Sequence, residues 1–247
     1  MIFRHISFIT IITCLALAVD TAPAEESPAE VAKPSVTKID ETRYQIGEVV
    51  FDQKTREIRF PARVNMVEGL IEFLVVHQNG KVHEALLSTE ISPTHLNLAF
   101  TLLRYPPSRE LYPLPSATGG ASGNYPEVPA DIKAAARVNV ELEWSENEKI
   151  KRLPANECIQ HAVKTTAMSA GPWVYGGSNI DHGKFAAETT GDVIDIFTSP
   201  AAILNYPGDE RSDDTVWIPF PKRIPAEGTP ITVIITPFQN ANLIPKP

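Results

Sequence analysis

The clearest pattern along the chain is strict alternation. Ile58, Phe60, Ala62 and Val64 are interleaved with Arg59 and Arg63. Ala136, Val138, Val140, Leu142 and Trp144 are interleaved with Arg137, Asn139, Glu141 and Glu143. A period of two gives a strand one apolar and one wet face, as in an antiparallel sheet with one side on the core. Tyr44 to Phe51 and Arg56 to Val64 are predicted to pair as a hairpin around Asp52-Gln53-Lys54-Thr55. The stretch from Leu70 to Val76 is apolar on both faces except for Glu72, and predicts a central strand. Asn79-Gly80 predicts a tight turn, because both residues tolerate positive φ. Lys81 to Ser88 is therefore expected to lie antiparallel to the central strand. Further strands are expected at Trp173 to Ser178, Phe185 to Thr189, Asp192 to Thr198, Trp217 to Phe220 and Thr229 to Thr236.

The period changes after Ser92-Pro93, an N-cap followed by proline at the first helical position. Leu96, Ala99, Phe100 and Leu103 recur at helical spacing, and Leu98 and Leu102 widen the stripe. A helix over about residues 93–104, buried against the sheet, is expected. Shorter helices are expected at Pro154 to Ala162 and Ser199 to Leu204. The fold class expected is α+β and predominantly β. It would comprise antiparallel or mixed twisted sheets, or a sandwich, with one buried amphipathic helix and a few short ones.

The ends of the chain read differently. Arg4 and His5 precede an apolar run from Ile6 to Val19, too short for a membrane span, and Ala22-Pro23-Ala24 fits a cleavage site after Ala24. The mature chain is expected to be exported, to the periplasm or beyond, with no transmembrane span. A lipoprotein reading at Cys14 is disfavoured, because Thr13 is a poor residue before a lipidated cysteine and the apolar run continues past it. Residues 25–42 read as a flexible linker. Residues 43–238 read as a single β-rich domain with a Pro/Gly-rich loop at 105–131, and residues 239–247 as a tail.

Composition narrows the function classes. The chain has 43% hydrophobic and 21% charged residues, and its 22 prolines favour loops and short strands. A net charge of −8 without a basic stripe argues against nucleic acid. Cleavage leaves Cys158 as the sole cysteine, which excludes an internal disulfide, an iron–sulfur cluster and a Cys-rich zinc site.

The chemistry-bearing residues gather in Gly80 to Arg104. His83 and Glu84 are expected on a strand and His95 in the first turn of the helix. Adjacent strand residues point to opposite faces, so only one of His83 and Glu84 could share a site with His95. Glu72, Asp195 and His182 are the candidates to complete it. Two imidazoles and a carboxylate suit zinc or ferrous iron with open positions, and metal-bound water would give hydrolysis. The alternative is structural: His83, Glu84 and His95 tie the helix start to the sheet, and Glu72 pairs with an arginine at the sheet rim. Cys158 and His161, three apart on the expected helix, would be in reach of each other, but no Gly-x-Ser-x-Gly elbow is present.

Several blocks stand out in order along the chain: Arg59-Phe60-Pro61-Ala62, Gly69 with Glu72, Gly80-Lys81-Val82-His83-Glu84-Ala85-Leu86-Leu87, and Pro93 with His95-Leu96 and Ala99. The series continues with Trp173-Val174-Tyr175-Gly176-Gly177-Ser178, Gly191-Asp192 and Gly228-Thr229-Pro230-Ile231. Together they resemble the YdjY-domain family of mostly exported bacterial proteins. The resemblance spans about residues 45–237 and implies export, with no assigned activity and no catalytic residues to carry over. Some members are described as ferredoxin-like, a role for which this chain lacks the cysteines. The reading that results is a non-catalytic binding domain of the cell envelope, contacting an envelope protein or a small ligand. A metal-binding protein or metal-dependent hydrolase using His83 and His95 is the alternative.

Overall fold

The computed structural model describes residues 35–239 apart from residue 119. The export signal with its cleavage at Ala24, the lipidation alternative at Cys14, most of the linker and the tail from residue 240 lie outside the described residues. In chain order the first elements are β1 (Val36–Lys38), β2 (Arg43–Ile46), β3 (Val49–Asp52), β4 (Ile58–Val64), β5 (Phe73–His77), β6 (Ala85–Thr89) and helix α1 (Pro93–Leu102). After the long loop come α2 (Ala130–Ala135), β7 (Arg137–Glu146), β8 (Lys149–Pro154), β9 (Ile159–His161), β10 (Trp173–Tyr175), β11 (Ile180–Asp181) and β12 (Lys184–Phe185). The chain closes with α3 (Ala186–Thr190), β13 (Asp192–Asp195), β14 (Leu204–Asn205), β15 (Trp217–Pro219) and β16 (Pro230–Pro237).

The sheet is neither open nor a sandwich. It runs β4-β16-β7-β10-β14-β13-β5-β6 and returns to β4, a closed mixed barrel of eight strands. The closing pair is β4 with β6, through Arg63 opposite Ser88 and Val64 opposite Leu87. Two neighbouring pairs, β5/β6 and β13/β14, are parallel. β1, β2 and β3 extend the sheet beyond β4, and β8 extends it beyond β7. Alternation is identical in a sandwich and a barrel, since both bury one face of each strand. Closure follows from β4 and β16, each paired on both sides, and it leaves no free edges within the ring. Ile58, Phe60, Val138, Val140, Leu142, Val233 and Ile235 belong to the single large core.

Helix α1 starts where the cap pattern placed it: the Ser92 hydroxyl accepts from the His95 N–H. It is not a buried helix. Leu96, Ala99, Phe100 and Leu103 enter the core, but Leu102 is 45% exposed. Phe100 stacks on Tyr175 at 4.3 Å, and Tyr175 donates to the Asn97 side chain, which ties α1 to β10.

Other expectations are corrected. Tyr44 to Phe51 is itself a hairpin about Gly47, whose φ is +56°. Residues 186–190 form α3 rather than a strand, ended by Gly191 in the left-handed region at φ +82°. Residues 155–161 form a 3-10 turn and β9, not one helix. Val36–Lys38, in the expected linker, joins the sheet as β1. The Pro/Gly-rich loop is packed in part: Leu111 and Tyr112 bury against Ala136 and Val174, and Arg109 donates to the Ser178 carbonyl at 3.0 Å.

Candidate functional site

The turn at Asn79-Gly80 does not make a hairpin. β6 runs parallel to β5, with Phe73 opposite Ala85 and Val75 opposite Leu87. Gln78 to Glu84 carries the chain back along the barrel wall, and Val82–Glu84 is a 3-10 turn. The Asn65 side chain holds that return by donating to the carbonyls of Val82 and Ala85. His83 and Glu84 therefore leave the strand, and the opposite-face argument no longer applies. His83 Nε2 lies 3.8 Å from Glu84 Oε1, with the His83 side chain 74% exposed.

Glu72, just ahead of β5, is half-buried. Burial, then the nearby Glu84, pushes its carboxyl above the usual range, and Lys81 rather than an arginine is the cation that opposes this. Asp195, at the end of β13, is fully buried, and neither carboxylate oxygen has a hydrogen-bond partner among the described residues. Burial, reinforced by Asp192, raises its pKa well above the ordinary value. Asp195 stands beside Asn205 on β14 and Phe73 on β5. The Asn205 amide donates to the Tyr112 hydroxyl at 2.9 Å, and Ser199 donates to Asp192 at 3.3 Å.

The fold thus gathers His83, Glu84, Glu72 and Asp195 into one neighbourhood, with Lys81 and Asp192 added. The last two were missed, although Gly80-Lys81 and Gly191-Asp192 signalled them. His95 lies elsewhere, its ring against Gly47: a Cβ at that glycine would fall 2.5 Å from His95 Nδ1. His182, on the turn between β11 and β12, has its Nε2 3.8 Å from Asp181 and a side chain 95% exposed. Among the described residues no group of three or more His, Cys, Asp or Glu side chains could hold a metal ion.

Cys158 and His161 offer little to nucleophilic chemistry. Cys158 is buried, and burial pushes its thiol up to about 12, so the reactive thiolate is scarce at neutral pH. His161 Nδ1 accepts from the N–H groups of Val163 and Lys164, which leaves the proton on Nε2, 3.2 Å from Glu210. Both ring nitrogens are engaged in holding a turn.

The model of the YdjY domain matches residues 49–236. The chain belongs to the YdjY-domain family. No curated protein and no solved structure matches it. The YdjY blocks include two glycines whose close contacts leave no room for a side chain and a third that meets one of them backbone to backbone. Gly191 rests on Gly80, where an added Cβ would lie 2.8 Å from the Gly80 Cα, and His77 donates to the Gly191 carbonyl. Gly176 faces Tyr112, whose hydroxyl would be 1.9 Å from a Cβ at that position. Gly176 thereby leaves room for Tyr112 to reach Asn205, the neighbour of Asp195 across the β13/β14 pair.

An open polar surface lies at β8. Among the described residues this strand pairs with β7 alone, through the two-residue turn Asn147-Glu148, both residues with positive φ. Alternation of the ladder turns the peptide groups of Lys149, Lys151 and Leu153 to β7 and those of Ile150 and Arg152 outward. Ile150 is 69% exposed. Beside the strand runs an open groove of about 550 Å³, lined by Trp144, Lys151, Arg152, Leu153, Lys222 and Arg223 with Glu157.

Proposed function

We propose that this YdjY-domain protein is an exported, non-catalytic binding module of the cell envelope that takes up an extended acidic segment of a partner protein by strand addition to β8. The export reading rests on the sequence signal at Met1 to Ala24. The binding reading rests on one observation: among the described residues the peptide groups of Ile150 and Arg152 on β8 are unpaired, and they stand beside a groove with four cationic side chains, of which Lys151, Arg152 and Arg223 pair with Glu146, Glu141 and Glu157 and Lys222 has no ion pair. Main-chain hydrogen bonds give affinity in this mode and side-chain pockets give specificity. The strand Lys149-Ile150-Lys151-Arg152-Leu153 carries three cations and no acid, in a chain of net charge −8. Antiparallel self-pairing centred on Lys151 would set Lys151 against Lys151, which disfavours a second copy and favours an acidic strand.

The test is fluorescence anisotropy with two labelled peptides, an alternating Glu-Val hexamer and its Lys-Val counterpart. The Glu-Val peptide is expected to bind at least about tenfold tighter. Arg152→Pro removes an outward N–H and leaves the backbone ladder to β7 intact, losing there only the Arg152 side-chain bond to Glu141, so it should abolish binding while the fold survives. Equal binding of the two peptides, or undiminished binding by the proline variant, refutes the proposal.

A further inference from the structure

A second surface, independent of β8, lies where α1 ends. Arg104 N–H donates to the Thr101 carbonyl and Tyr105 N–H to the Phe100 carbonyl, both at 3.0 Å. This is the Schellman termination, whose left-handed residue is usually glycine. Here it is Arg104, at φ +58°. Facing it, the β3–β4 turn has a second left-handed residue that is also an arginine, Arg56 at φ +60°. Glycine or asparagine is the ordinary choice at both places, since a side chain strains this conformation.

The two arginines line one open pocket of about 530 Å³ with Gln53, Leu102 and Leu103, and no carboxylate lines it. No ion pair among the described residues involves either arginine. The Arg56 guanidinium is held rigidly. Its Nε donates to the Leu103 carbonyl at 3.1 Å and its Nη2 to the Arg104 carbonyl at 3.4 Å, while it lies 3.9 Å over the Tyr105 ring. Tyr105 in turn donates to the Arg56 carbonyl at 2.8 Å. Two N–H groups hold the helix end and the remaining donors are free for a ligand. Helix capping accounts for Arg56. It does not account for Arg104, where glycine would end the helix with less strain.

We propose that this pocket binds an oxyanion carried on an apolar chain, the anion between Arg56 and Arg104 and the chain along the exposed face of Leu102. Planar guanidinium groups recognise carboxylate and phosphate oxygens in pairs. Leu102, 45% exposed, supplies an apolar wall at the same pocket. The strain at Arg104 is then retained for its side chain, as strain at ligand-binding positions commonly is.

The experiment is an NMR titration of the uniformly labelled protein with decanoate, decyl phosphate and decyltrimethylammonium, each below its micelle-forming concentration. Either or both anions are expected to shift the amide signals of Gln53, Leu102 and Arg104 saturably, and the cation is not. The tighter of the two anions identifies the headgroup as carboxylate or phosphate. Arg104→Gly should weaken anion binding at least about tenfold while raising the melting temperature by about 2–4 °C. Arg104→Lys should retain part of the binding. The proposal fails if neither anion moves these signals, if the cation moves them equally, or if Arg104→Gly binds as the wild type does.

Discussion

Asp195 offers the sharpest test of the barrel wall. Asp195→Asn keeps the shape of the side chain and removes its ionisation. In the folded protein burial, with Asp192 nearby, holds the acid protonated well above the ordinary carboxyl value. The folded state therefore binds this proton more tightly than the unfolded chain. The stabilisation is complete below the unfolded carboxyl pKa of about 3.9, and it is lost as pH rises toward the folded value. Between the unfolded and the folded value the loss runs at up to about 1.4 kcal/mol per pH unit, so the wild type should lose stability with rising pH that the variant keeps. Asp192 and Glu72, raised mainly by burial as well, titrate in both proteins and largely cancel in the comparison. Urea unfolding at fixed pH values is the assay. With a slope near 2–3 kcal/mol/M, the wild-type midpoint should fall relative to Asp195→Asn by up to about 0.5 M for each pH unit above the unfolded value. Parallel pH dependence of the two midpoints would refute the argument. It would mean that the carboxyl reaches water or a cation in solution.

Gly176→Ala places a Cβ where the Tyr112 hydroxyl now sits and should pull Tyr112 away from Asn205. A destabilisation of about 1–3 kcal/mol is expected by thermal melting, and the same glycine substitution should cost less in a Tyr112→Ala background, where the clash is gone. Glu188 accepts from the Ser92 hydroxyl and from the N–H and hydroxyl of Thr94, joining α3 to the start of α1. Burial alone would raise its pKa, but the bonds from Thr94 and Ser92 hold it below the ordinary value. Its contribution is therefore present above the ordinary carboxyl pKa and lost as pH falls through the lowered one. Glu188→Gln should cost about 0.5–1 kcal/mol near neutral pH, as the loss of a cap does, and the gap from wild type should close in acid, read by urea midpoints.

Much of the local structure was legible in the residues. The alternation at Ile58–Val64 and Arg137–Glu146 became β4 and β7 with the expected faces buried. Ser92-Pro93 started α1. The YdjY blocks identified the family, although their reason lay out of view: Gly80 matters because Gly191 rests on it, and Gly176 because Tyr112 does. The errors share a cause. Asn79-Gly80 permits a hairpin but does not require one, and the return through Val82–Glu84 was decided by contacts from Asn65 and Gly191, distant in sequence. Ala186-Ala187-Glu188-Thr189-Thr190 is short and without clear period, so its helix was settled by the left-handed stop at Gly191 and the contacts with α1.

The candidate site divides in the same way. Residue types and neighbours marked Glu72, His83, Glu84, His95 and Asp195, but spacing along the chain could not say which would meet. Four of them converge because β5, β13 and the return before β6 are adjacent in the ring, while His95 faces Gly47 from α1. By itself the sequence determined which faces of the strands are apolar, where α1 begins and which family the chain resembles, because those depend on residues a few positions apart. Only the tertiary structure decided that the sheet closes, that Asp195 is buried without a hydrogen-bond partner among the described residues, and that Arg56 and Arg104 share a pocket. Each depends on segments brought together by pairings such as β4 with β6, and no local period encodes them.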